Sequence, residues 1–333
     1  MKLYSKSQTL ITGVYRTGSE YLAQIIGCNP SISVNMYGVN VLRFVYGKYD
    51  PFSKKINYSK ALTDVANRIK DRYQIEINLD TILSELDSLD RVSYGKFYDI
   101  LMFNIYMKKS SKHWAEKNQL LWREIPKFLE MMPNGKAVLI LRDPRAVLMS
   151  FINYTYAPKP LYLEAIFNCY DAMKHAKIFQ RNFPKQVQII KYEDIVIDPQ
   201  KIAENFWDFV GINGRHDVRL KDNWVDAYGK KWVANSSFSS KDENFNAGLA
   251  VNRWKTKIND QEIILTEEIC GELMEQFNYK LVLNSPIKSG TISKEIFMNN
   301  PSLINTYERW KELSEGIQSF PTDPLKPENW RND

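Results

Sequence analysis

Apolar residues along the chain gather in short β-branched runs that alternate with stretches of helical spacing. The first run, Thr9-Leu10-Ile11-Thr12, stops at Gly13 and predicts a strand. Beyond a loop, Tyr21, Leu22, Ile25 and Ile26 recur at helical spacing until Gly27, so the order is strand, glycine-bearing turn, helix. From about Tyr37 to Lys112 the pattern is mostly helical, with Ile82, Leu86 and Leu89 on one amphipathic face. Residues 114–118 predict a second strand, and 120–132 a helix that tolerates Pro126 only near its first turns. Ala137-Val138-Leu139-Ile140-Leu141 is too short for a buried helix and suits a central parallel strand. It runs into Arg142-Asp143-Pro144, after which 146–151 opens a helix; 187–191 predicts another strand and 202–210 another helix. Strands alternating with helices predict a three-layer α/β/α fold around a central parallel sheet. The periodicity fades beyond about Val282. The expected division is an α/β domain over 1–285, with a helical insertion at about 37–112, and a partly irregular, proline-spaced extension over 286–333.

Composition narrows the function without choosing it. With 333 residues, 44% hydrophobic and 25% charged, the chain is an ordinary globular protein. It is long enough to bury a core without a disulfide or metal staple. Lysine and arginine number 45 against 39 acids, a net charge of +6 that favours an anionic ligand but is too dispersed to imply nucleic acid. Cys28, Cys169 and Cys270 are far apart and form no CxxC, which reads as reduced thiols, and His113, His175 and His216 lack zinc spacing. No metal is therefore expected. No apolar stretch approaches the roughly 20 residues of a membrane span, and the amino terminus turns polar too soon for a signal peptide. The expectation is a cytoplasmic protein without integral membrane association, its oligomeric state open.

The chemistry lies at two strand ends. Gly13-Val14-Tyr15-Arg16-Thr17-Gly18-Ser19 joins a strand to a helix amino terminus, where backbone N–H groups and the helix dipole favour an anion. Thr17 and Ser19 add hydroxyls and Arg16 a fixed charge; the plainer reading is a capped helix start. Gly13 and Gly18 have the spacing of a P-loop, but Ser19 stands where its lysine belongs and Glu20 where its magnesium-binding hydroxyl belongs. That argues against an ATPase or kinase. In the second segment, Arg142 ends the strongest strand and Ser150 follows eight residues later, an arginine fork and a hydroxyl suited to a second phosphate. Its plainer reading is a helix capped by Asp143 with Pro144 at the first position.

Together these segments resemble the signatures of sulfotransferases that use 3′-phosphoadenosine 5′-phosphosulfate (PAPS). GVYRTGSEYL is similar to the loop that binds the 5′-phosphosulfate, and LRDPRAVLMS to the strand and helix that bind the 3′-phosphate. In the family's order follow Glu116-Lys117-Asn118, Lys191-Tyr192-Glu193-Asp194-Ile195 with Asp198-Pro199, and Asn252-Arg253-Trp254-Lys255, so the resemblance spans roughly 10–280. It implies a P-loop-like sulfotransferase fold with PAPS as donor and no metal. It implies that Arg16, Thr17, Gly18, Ser19 and Glu20 surround the leaving phosphate, that Arg142 and Ser150 hold the 3′-phosphate with Arg253 or Lys255, and that Tyr192 borders the adenine. Lys117 is expected to reach the transferring sulfonate, and catalysis to fall to Arg16 and Lys117.

Three positions depart from the family. Tyr15 replaces a proline, Glu20 replaces a phosphate-binding threonine, and SISVNMYGVNVLRFV carries neither the acid nor the histidine that often serves as base after the first helix. Candidate bases are Glu116, which adjoins Lys117, then His113, Glu20 and Tyr37. The expected acceptor is a hydroxyl or amine of a small molecule, saccharide or lipid. Its pocket is sought among the aromatics of 37–112 or at 154–162. The competing readings are a non-catalytic nucleotide-binding protein of the same fold and a P-loop phosphotransferase.

Overall fold

The computed structural model describes residues 5–36, 38–152, 160–218, 224, 246–282 and 291–317. Among the described residues five strands form one sheet: β1 (Ser7–Gly13), β2 (Ile32–Asn35), β3 (His113–Lys117), β4 (Lys136–Leu141) and β5 (Val187–Lys191). They lie in the order β2-β3-β1-β4-β5, every neighbouring pair parallel. All seven residues of the central β1 are buried.

Among the described residues fourteen α-helices accompany the sheet. The first five are α1 (Ser19–Ile26), α2 (Val41–Phe44), α3 (Lys55–Tyr73), α4 (Leu79–Asp87) and α5 (Tyr94–Tyr106). Then come α6 (Ile125–Met131), α7 (Pro144–Ile152), α8 (Glu164–Asn182), α9 (Tyr192–Ile197) and α10 (Pro199–Val210). The last are α11 (Ala247–Asn252), α12 (Asp260–Gln276), α13 (Thr291–Met298) and α14 (Pro301–Leu313).

Because successive strand residues point to opposite faces, β1 and β4 feed two separate cores. Ile11, Val138 and Ile140 face Leu22, Ile25 and Ile26 of α1 and Phe206 and Trp207 of α10. Leu10, Leu139 and Leu141 face the other layer, with Tyr98 of α5, Phe167 of α8 and Ile269 of α12. The three-layer α/β/α arrangement expected from the alternation is the one observed. Among the described residues no helix is long and apolar enough to cross a membrane.

The elements differ from the sequence expectation in instructive places. β2 was not foreseen: it is four residues long at the sheet's edge and interleaves Ile32 and Val34 with Ser33 and Asn35. The helix expected over 120–132 is broken at its start. Leu120 takes a positive φ of 62°, a 3₁₀ turn covers Trp122–Glu124, and α6 begins only at Ile125, with Pro126 in its first turn. Proline also opens α7 and α10, earlier than expected, and Asp198 caps α10 by accepting from Lys201 N at 2.9 Å.

The strand order fixes where a ligand can sit. After β1 the chain turns toward β2 at one edge; after β4 it turns toward β5 at the other. Such a reversal leaves a crevice beyond the carboxyl ends of the two adjacent strands. The segments that follow β1 and β4 are those singled out above.

Candidate active site

The turn after β1 is shaped by its two glycines. A Cβ on Gly13 would lie 2.7 Å from the Ile140 carbonyl oxygen, so only glycine lets β1 run this close to β4. Gly18 takes φ 86° and has the Tyr192 ring against it, where a Cβ would fall 2.2 Å from a ring carbon. Arg16 also sits in the left-handed region, at φ 70°. Thr17 is buried, and its hydroxyl donates to the Val14 carbonyl at 2.7 Å. The expected donor hydroxyl therefore stiffens the turn. Ser19 Oγ accepts from Gln119 Nε2 at 3.0 Å, which leaves its proton to donate on the other side.

The turns after β1 and β4 are tied together. Arg16 Nε donates to Ser150 Oγ at 2.8 Å, so the loop arginine lies across the second segment. Arg142 is buried and returns the contact: Nη1 donates to the Arg16 carbonyl at 2.7 Å and Nη2 to the Ala250 carbonyl at 2.6 Å. Its guanidinium stacks over the Tyr192 ring at 4.4 Å, and the Tyr192 hydroxyl donates to the Ala247 carbonyl at 3.2 Å. Burial raises the Tyr192 phenol, a shift that the charges of Arg142, Arg253 and Arg16 oppose. Arg253 thus stands within electrostatic reach of Tyr192. Arg253 and Lys255 are exposed on the 3₁₀ turn Arg253–Thr256, with buried Trp254 between them.

Arg142 Nε is buried and has no hydrogen-bond partner among the described residues. A buried charged donor without an acceptor is costly, and a phosphate oxygen is a natural acceptor for it. With the Arg16 side chain, the Ser19 and Ser150 hydroxyls and the first turn of α1, the residues present fit a phosphorylated nucleotide.

Lys117 and Glu20 meet at the same end of the sheet, with Lys117 Nζ 2.9 Å from Glu20 Oε1. The Glu20 carboxylate faces across to β3. Glu116, the neighbouring strand residue, points to the opposite face of the sheet and is wholly buried. It accepts from Asn40 N at 3.0 Å, from Asn118 Nδ2 at 2.7 Å and from the Tyr98 hydroxyl. Burial pushes its carboxyl up to about 7. The structure thus gives Glu116 no surface on the crevice: Oε1 holds the backbone of Asn40 against β3, and Oε2 ties Asn118 and Tyr98 of α5 to the strand.

His113 is not brought to the site. It opens β3 opposite Ser7, at the amino end of the parallel sheet, with Nδ1 2.6 Å from Ser7 Oγ. Four residues of strand, about 13 Å, separate it from Lys117. Nor is it in a surface loop: burial, with Lys6 and Lys112 nearby, lowers its pKa. Tyr37 and residues 154–159 lie outside the described residues.

Sequence reading missed the residues that support this arrangement. Arg43 Nη2 donates to the Gln119 carbonyl at 3.0 Å, so α2 braces the residue that orients Ser19. Glu193 accepts from Asp143 N and from the Tyr279 hydroxyl, both at 3.0 Å, and locks α9 to the start of α7. The Asn118-Gln119 pair directly after Glu116-Lys117 was the available signal. Arg43 and Glu193 act across long sequence distances that no local pattern shows. Among the described residues no group of His, Cys, Asp and Glu is placed to hold a metal ion.

A model of the sulfotransferase family matches residues 9–217. Carbohydrate sulfotransferase 2 of Mus musculus and that of Homo sapiens are each 32% identical over 111 residues, 32% of this chain and 19% of theirs. The match spans about a fifth of these relatives' length. Two solved structures share the fold. The sulfotransferase domain from the curacin biosynthetic pathway is 18% identical, with 82% of this chain and 98% of that one covered at a TM-score of 0.53. The sulfotransferase domain from the Synechococcus PCC 7002 olefin synthase is 16% identical, with 84% and 97% covered at 0.54.

Proposed function

The chain belongs to the sulfotransferase family, and from that premise we propose that it transfers the sulfuryl group of PAPS to a hydroxyl or amine of a small-molecule, saccharide or lipid acceptor. The saccharide class is the one named by its curated relatives. The observation that carries the reading is the cationic crevice between β1 and β4, where Arg142 and the Arg16 side chain join both phosphate-type segments into one site. A capped helix start alone explains neither the buried guanidinium nor its unpartnered Nε.

In this reading the donor supplies the activated sulfuryl group, and the protein supplies position and charge. Arg142 and Ser150, with Arg253 and Lys255 at the rim, hold the 3′-phosphate, and Tyr192 borders the adenine. Arg16, Ser19 and the backbone of residues 16–20 hold the 5′ end, with Thr17 keeping the turn rigid. Arg16 and Lys117 offset the negative charge that develops on the leaving oxygen, which is worth most where water is scarce. Replacement of the P-loop lysine and hydroxyl by Ser19 and Glu20 disfavours phosphoryl transfer with magnesium.

The test is thermal unfolding with 3′,5′-adenosine bisphosphate and with AMP, followed by mass-spectrometric screening of acceptors with PAPS. At a hundred times its dissociation constant the bisphosphate stabilises by about 2.7 kcal/mol, a rise of at least a few degrees for a chain of this size. AMP, which lacks the phosphate assigned to Arg142 and Ser150, shifts the transition much less. Equal shifts overturn the assignment of that second segment. Binding without turnover on any acceptor class favours the non-catalytic reading.

A further inference from the structure

Glu20 is the second residue of α1, beside the turn assigned above to the 5′ end of a polyanionic donor. The helix dipole tolerates a carboxylate there, but an arriving anion is repelled by it. Lys117 offsets that charge from the end of β3. Its ammonium lies 2.9 Å from Glu20 Oε1, and the two side chains are only 10% and 18% exposed. So sheltered a pair is screened less than one on the open surface. Lys117 pairs with Ile11 in the sheet register and thus sits beside the strand that leads into the turn.

An ammonium has three N–H donors, and the one given to Glu20 is withheld from any other acceptor. We propose that Glu20 sets the affinity of the site by competing with the bound anion for Lys117. Donor and desulfated product are then held less tightly than Arg16, Arg142 and Lys117 together would hold them, and the product leaves faster. The inference rests on the donor reading above. A purely structural pair, stapling α1 to β3, predicts the opposite result: its removal loosens the protein and tightens nothing.

The experiment is calorimetric titration of 3′,5′-adenosine bisphosphate into the full chain as wild type, Glu20→Gln, Lys117→Met and the double variant, with thermal unfolding of each. Glu20→Gln is expected to bind about five- to tenfold more tightly, the worth of one partly sheltered ion pair. Lys117→Met is expected to bind more weakly. In the Lys117→Met background, Glu20→Gln gains clearly less, because the shared ammonium is gone. Glu20→Thr, which also lacks the charge, repeats the comparison if the glutamine variant does not fold. A wild-type chain that ignores the bisphosphate overturns the donor reading. Bisphosphate binding that is unchanged or weaker in a folded Glu20→Gln, or a gain that persists undiminished without Lys117, overturns this inference alone.

Discussion

Folding turns Glu116 from a carboxylate into a group that keeps its proton almost to neutrality, and this has a measurable consequence for stability. The carboxyl titrates near 4.5 in its ordinary state and about 7 in the folded chain, because burial penalises the charged form. Between those values the folded state binds more protons than the unfolded state, so stability falls as pH rises. The contribution is fully present below 4.5 and lost through pH 7, on the order of 3 kcal/mol in all. Glu116→Gln keeps the shape and removes the titration. Urea unfolding at pH 5, 6, 7 and 8 should show a shallower decline for the variant than for the wild type. Identical slopes would mean that the Asn40, Asn118 and Tyr98 hydrogen bonds hold a charged carboxylate instead. At this scale the sequence placed Glu116 and Lys117 side by side at a strand end, and the alternation of strand faces sends them apart. It did not tell which face opens on the crevice, because that depends on helices packed from distant parts of the chain.

Two arginines three residues apart in Arg142-Asp143-Pro144-Arg145 do different work at the junction of β4 and α7. Arg142 faces the crevice. Arg145 is buried and pairs with Asp143 at 2.6 Å and Glu267 of α12 at 2.5 Å, and its guanidinium lies 4.0 Å over the Trp254 ring. It also donates to the Lys280 carbonyl at 3.0 Å, so one side chain joins α7, α12 and the chain after it. Removing it takes the guanidinium charge from two buried carboxylates, which keep their backbone N–H donors at residues 145 and 282, and costs about 3–5 kcal/mol. Arg145→Ala should therefore lower the melting temperature by several degrees or more and reduce the yield of folded protein. Glu267→Gln, which retains an acceptor, should cost clearly less. Equal and small effects would show that water reaches the cluster. Most elements that frame this junction were legible, because apolar runs such as 137–141 suit only a central strand. α8 was not: its buried positions include Asn168 and Asp171 among apolar residues, which breaks the stripe that marks a helix.

At the scale of the molecule, helices α13 and α14 share the core on one face of the sheet. Phe297 of α13 and Leu303 and Tyr307 of α14 are buried in the cluster that contains Leu10 and Leu139. Phe167 of α8 meets Phe297 at 5.0 Å between ring centroids and Trp310 at 5.6 Å. Arg123 fastens the segment after α14. It bonds to buried Asp171 at 2.5 Å, to Glu315 at 3.3 Å and to the Gly316 carbonyl at 3.0 Å. The sequence reading, which saw periodicity fade there, had no means to place these residues, since their partners lie more than a hundred positions earlier. A segment that shares a core unfolds with it, whereas an independent extension melts separately. Phe297→Ala should cost about 3–5 kcal/mol and lower a single unfolding transition followed by both near-ultraviolet and far-ultraviolet circular dichroism. Wild-type protein should show those two signals changing together. An unchanged main transition in Phe297→Ala, with only a minor early phase shifted, would mean that α13 and α14 are an appendage and that the α/β domain holds its fold without them.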